Sequence, residues 1–354
     1  MISLPPEEPI RLSSETTPTL DDPAAAEPSD AGSLPVHRAK SRGHAAPLVP
    51  AGVATLALLV AKLVPNRQFT VTTGLFPALL GVLLAAAIGI AVVELLAPRL
   101  RPWARHYGPL LAGGIGLLTL WSLVTAKLNW LPLPYFPGPE RVLQSLRDDR
   151  ETLAVSTYHS LRLLVSGYSV GVAAGLLCGV LVGWFRRVRY WGMPLLKLLG
   201  PIPATAYVPL MMVLFPSPFL SGTALIALAV WFPVTMLTSS GIANVPVALL
   251  DVARTLGATP RYLIFHVALP AALPNIFLGL FMGLGSAFLT LIVAETLGVS
   301  AGLGWYLKWQ QGYLEYANVY AAIVIMSLFF SGLMSLLFVV RDRLLSWQKG
   351  VIRW

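Results

Sequence analysis

The sequence predicts an all-α integral membrane protein with about eight transmembrane helices. Two observations predict it. Of 354 residues, 56% are hydrophobic and only 12% are charged, against roughly 25% charged residues in a soluble domain. The apolar residues also gather in runs near the ~20 residues that cross a bilayer: 48–64, 72–97, 108–127, 160–184, 192–214, 219–243, 271–294 and 317–340.

Residues 1–46 precede these runs and read as a disordered segment. Seven of the 16 acidic residues lie in the first 30 positions, among Pro, Ser, Thr and Ala. Such a segment cannot bury enough apolar surface to offset its chain entropy. Residues 47–106 then hold two spans. The first is short and carries Lys62; the second carries Glu94 close to its end. Residues 107–354 hold the other six. The lone Cys178 lies in an apolar run, which excludes a disulfide framework within the chain.

Orientation follows from the loops, because Lys and Arg concentrate on the cytoplasmic side. With the N-terminus inside, the inner segments hold Arg99, Arg101, Arg105, Arg186, Arg187, Arg189, Lys197, Arg254, Arg261, Arg341 and Arg343. The outer loops hold fewer cations and mix them with Glu140, Asp148, Asp149, Glu151, Glu295 and Glu315. An even number of spans with both termini inside fits. The net charge of +9 then reflects topology and anionic lipid and needs no nucleic-acid partner.

Within the spans, Gly167, Gly171, Gly175, Gly179 and Gly183 recur every fourth residue and share one helix face. Lipid supplies no hydrophobic drive for helix association, so a stripe without side chains points to close backbone packing. Gly200-Pro201-Ile202-Pro203 predicts a bend, for packing or for gating. Arg162, near the outer end of its span, is either a functional cation or one that reaches the interface.

The most informative segment is 246–270. It reads as a short helix, a turn at Gly257-Ala258, and a second amphipathic helix opened by Thr259-Pro260 as cap and first residue. An inside hairpin with an apolar face suits a groove on a soluble partner.

Asp251-Val252-Ala253, Gly257, Val267 and Leu269-Pro270 resemble the EAA loop of binding-protein-dependent ABC importer permeases, with Asp for Glu and Val for Ala. Pro201-Ile202-Pro203, Phe232-Pro233, Leu291 through Glu295 and Gly302-Leu303-Gly304 extend the resemblance to the nitrate, sulfonate, taurine and bicarbonate group. It implies a six-span type I importer core with two additional N-terminal spans, in a prokaryotic inner membrane. It further implies that Asp251, Ala253, Gly257, Ala258, Leu269 and Pro270 form the element that couples to a cytoplasmic ATPase. Glu295, with Gly302 and Gly304, would stand at the outer gate. Its expected partner is a cation or the backbone amides of the glycine loop. The implied partners are ATPase subunits carrying ATP and Mg, an extracytoplasmic binding protein, and a second permease copy.

No Gly-x-x-x-x-Gly-Lys-Ser/Thr occurs, the histidines lack metal-ligand spacing, and no nucleophile elbow appears. The chain is therefore expected to hold no catalytic residue, metal or cofactor of its own. A secondary transporter would need internal repeats and mid-bilayer ionisable groups. A non-transporting scaffold with a docking hairpin is the other alternative.

Overall fold

A computed structural model of the chain describes residues 49–68, 73–296 and 301–348. The expected disordered segment 1–46 lies outside them. The described residues form helices, turns and short connections without a strand. In order the helices are α1 (Val49–Leu63), α2 (Leu75–Leu96), α3 (Arg101–Ser122, prolonged by a wide turn over Leu123–Lys127), α4 (Pro139–Asp148), α5 (Arg150–Trp184), α6 (Arg186–Leu199), α7 (Val208–Leu214), α8 (Pro218–Ala243), α9 (Val247–Thr255), α10 (Pro260–Glu295), α11 (Leu303–Gly312) and α12 (Tyr316–Leu344). Helices α2, α3, α5, α8, α10 and α12 are long and apolar enough to cross a membrane. The 15 residues of α1 reach about 22 Å at 1.5 Å per residue, short of a ~30 Å hydrocarbon core.

The structure corrects the expected span 192–214. That stretch divides into α6 and α7, whose directions differ by 86°. Pro201 and Pro203 lack an N–H and disfavour helical geometry in the residues before them. Gly200 fits at the corner because a Cβ there would stand 2.2 Å from Cζ of Phe232.

The second helix of the hairpin and the span that follows it are one helix. Helix α10 runs through 36 residues, about 54 Å, from the hairpin turn to Glu295. It contains an interior proline, Pro274, and a wide turn over Leu263–Ala268, where the Leu269 N–H donates to the Ile264 carbonyl. Pro270 follows at once; its ring crowds the preceding turn and it donates no hydrogen bond.

The core of the bundle is α8 between α5 and α10. The glycine face of α5 meets a β-branched row on α8, in register turn by turn. Gly167 faces Ile226, Gly171 faces Val230, Gly175 faces Val234, Gly179 faces Thr238 and Gly183 faces Ile242. A Cβ on any of the five would come within 3.0 Å of α8. Gly279 and Gly283 of α10 approach the other side of the Val230–Val234 turn. The backbones thus gain dispersion contacts that lipid cannot replace.

Helices α1, α2 and α3 share a separate apolar cluster built on Ala54, Ala57, Leu80, Ala87 and Ile115. Two buried charges brace it, one within the unit and one from α4. The Lys127 ammonium donates to the Ala61 and Val64 carbonyls at the end of α1. The Glu140 carboxylate accepts from the Leu75 N–H at 3.0 Å and the Phe76 N–H at 2.8 Å, capping α2 from α4. Each charge meets the helix end of opposite partial charge.

Candidate functional site

The hairpin is built from its turn outward. Gly257 has φ +84°, a left-handed conformation that glycine adopts without strain. There the Gly257 N–H donates to the Arg254 carbonyl and the Ala258 N–H to the Ala253 carbonyl, both at 3.0 Å, closing the end of α9. Thr259 then caps the start of α10, its hydroxyl accepting from the Tyr262 N–H at 3.4 Å. Asp251 pairs with Arg254 at 2.8 Å, and both are exposed.

One side of this hairpin is rooted and the other is bare. Ala268 is buried with Ile242, Val245, Ala272 and Ile276, and Leu250 and Leu269 pack against that cluster. Val252, Tyr262 and Phe265 are exposed, and Leu256 at the tip is 83% accessible. Tyr262 stacks on His266 with ring centroids 4.4 Å apart. A rigid turn presenting apolar side chains edged by Arg254 and Arg261 has the form of a docking element.

A polar cluster occupies the other end of α10. Glu295 is 1% exposed. The Ser160 hydroxyl donates to its Oε1 at 2.5 Å, and the Gly304 N–H donates to Oε2 at 2.7 Å. Ser160 Oγ in turn accepts from the Leu303 N–H at 2.8 Å. The carboxylate therefore links α10 to α5 and to the first turn of α11. Gly302 has φ +139°, and a Cβ there would lie 2.5 Å from the carboxylate carbon. Glu295, Gly302 and Gly304 are candidates from the sequence, whereas no role for Ser160 is legible there; a serine seven residues before the first stripe glycine gives no local signal of its partners.

A second contact fastens α11. The buried Tyr306 hydroxyl donates to Asp149 at 2.5 Å. Burial first, and then the Asp149 carboxylate, hold the Tyr306 phenol far above its ordinary range, so it remains a donor. Arg162 lies elsewhere, over the Phe219 ring at 4.7 Å. Among the described residues no group of His, Cys, Asp or Glu could hold a metal ion.

Residues 171–348 match the family of binding-protein-dependent transport system inner membrane components. The chain belongs to that family. The matched range contains the hairpin, all of α10 and the Glu295 cluster, apart from Ser160. The chain is similar to the putative aliphatic sulfonates transport permease protein SsuC of Bacillus subtilis, with 30% identity over 72% of this chain and 93% of that one. It is similar to the taurine transport system permease protein TauC of Escherichia coli, with 32% identity over 60% of this chain and 79% of that one. Among solved structures, the inward-facing MetNI methionine ABC transporter matches with a TM-score of 0.48 and 18% identity, over 58% of this chain and 99% of that one. The chain is thus a multi-pass permease subunit of an ATP-driven importer. Its bare hairpin and its buried carboxylate sit at opposite ends of one helix of this permease.

Proposed function

We propose that the permease forms the alternating-access pathway for a small sulfonate or related anion. The substrate class is suggested by the names of the sulfonate and taurine permeases it resembles. The hairpin 246–270 would lie in the cytoplasm and dock on an ATPase subunit that holds ATP and Mg and hydrolyses the nucleotide. Asp251, Ala253, Gly257, Ala258, Leu269 and Pro270 would form that coupling element, and both termini would be cytoplasmic. A second copy of the chain would complete the pathway, and an extracytoplasmic binding protein would deliver the anion to the Glu295 side.

The continuity of α10 carries this reading. A displacement of the hairpin by ATPase closure would move a continuous helix whose far end holds Glu295 against Ser160 and Gly304. The Glu295 cluster would then serve as an outer gate, clasped without touching substrate. An anion path lined by an unpaired carboxylate would repel its own cargo.

A cross-linking experiment tests the arrangement. In a Cys178→Ala background, Leu256→Cys should cross-link to the ATPase subunit, and Arg147→Cys and Ala258→Cys should react with an impermeant thiol reagent from opposite faces of the membrane. Reaction of both from one face would overturn the orientation. Failure of Leu256→Cys to cross-link in an assembled complex would overturn the docking role.

A further inference from the structure

The bent segment α6–α7 contains a cation that neither the packing nor the gate uses. Lys197 is exposed, and no carboxylate pairs with it among the described residues. None could come from its neighbourhood in sequence, since no acidic residue occurs between Glu151 and Asp251. Its depth follows from contacts at both ends of α6. The helix starts at Arg186, beside the end of α5, where Arg189 donates to the Val182 and Gly183 carbonyls. Gly192 still lies next to Val182, and Gly200 abuts Phe232. Phe232 lies 11 residues before the end of α8 at Ala243, about 16 Å along that helix. Helix α6 therefore climbs into the apolar layer, and Lys197 stands one turn short of its top.

The sides of α6 are unlike one another. At 100° per residue, Arg186 and Lys197 fall within about 20° of each other. Gly192 and Leu196 lie on the side packed against the body, with Leu196 buried. Trp191, Leu195 and Leu198 are exposed on a flank about 100–160° away from Lys197. One flank suits lipid. The other carries a charge that lipid would strongly disfavour, and charges at such depth almost always face the bundle interior or a water-filled cavity; Lys197 is exposed and not packed inside the bundle. Snorkelling would have to carry the ammonium back along α6 to the interface; a water-filled path along this flank solvates it where it stands.

We infer that Lys197 lines the inner half of the translocation path and contacts the anionic group of the substrate. This rests on the importer reading and its orientation. Lysine suits the task because its ammonium is a compact charge that a sulfonate can meet and leave.

The test uses the complete importer in vesicles, with a radiolabelled alkanesulfonate as probe. Lys197→Gln should raise the KM for uptake roughly tenfold, as loss of one cation–anion contact would, with a smaller change in kcat, and Lys197→Arg should restore most of it. Lys197→Cys, in the Cys178→Ala background, should react with aqueous methanethiosulfonates from the hairpin side. Aminoethyl modification should restore uptake and sulfonatoethyl modification should not. Leu198→Cys should react at least tenfold more slowly. Equal uptake by Lys197→Gln and the parent would overturn the inference while leaving the importer intact. So would a Lys197→Cys thiol that only lipid-soluble reagents reach. Absence of uptake by the parent would instead overturn the reading on which the inference rests.

Discussion

Val234 lies against the bare backbone of Gly175, so close that a Cβ on residue 175 would stand 2.7 Å from the Val234 Cβ. Neither helix can yield there, because Gly279 of α10 presses on Val234 from the other side, with the Val234 Cα 3.2 Å from where its Cβ would be. Gly175→Ala should therefore destabilise the bundle by about 1–3 kcal/mol, the usual penalty of overpacking. Gly114→Ala, at a helix position with nothing within 4 Å, should be neutral or stabilising by up to about 1 kcal/mol. Thermal unfolding in detergent checks the pair; equal shifts would contradict the packing argument.

Glu140 accepts from the Thr73 N–H and hydroxyl as well as from the Leu75 and Phe76 amides. Glu140→Ala strands these donors at the start of α2. Amide exchange at Leu75 and Phe76 should accelerate by about 5- to 150-fold, matching about 1–3 kcal/mol for unmet buried donors. Exchange across α8 should not change. Acceleration confined to α8 would show that the cap matters elsewhere.

Glu295→Gln keeps the side-chain shape but removes the charge and replaces one of the two accepting oxygens with an NH2 group. If the amide oxygen accepts from the Gly304 N–H, the NH2 faces Ser160 Oγ and that hydroxyl loses the acceptor it now has. The variant should assemble, with basal ATPase activity raised several-fold and weaker dependence on the binding protein. Unchanged basal activity with lost substrate affinity would make Glu295 a substrate contact and sink the gate role.

Much of this architecture was legible in local patterns, and the rest was not, for physical reasons. The four-residue glycine repeat on α5 marks a contact face by itself. The hairpin turn is equally local, since Gly257 and the Thr259-Pro260 start each follow from one or two residues. By contrast, Gly200-Pro201-Ile202-Pro203 signalled a bend, yet hydropathy alone drew one span through it. Apolar composition does not encode direction, and the 86° turn needs the wall formed by Phe232. Lys127 and Glu140 cap helices 63 to 67 residues away, and no local pattern encodes such a pairing. No role for Ser160 was legible for the same reason, because its partners Glu295 and Leu303 are 135 and 143 residues distant.

The central claim is that the hairpin transmits ATPase work through α10 to the pathway. Gly257 tests it most directly, because its φ of +84° sits in open space with nothing within 4 Å of a Cβ. A substitution there strains the backbone and leaves the packing alone. The measurement is uptake of a radiolabelled alkanesulfonate, such as taurine, into vesicles holding the permease, its ATPase and the binding protein. The account predicts ATP-dependent uptake by the parent. With Gly257→Val it predicts an assembled complex in which ATP hydrolysis continues but uptake falls at least tenfold. Uptake by Gly257→Val at the parental rate, or parental uptake that follows an ion gradient without ATP, would contradict the account.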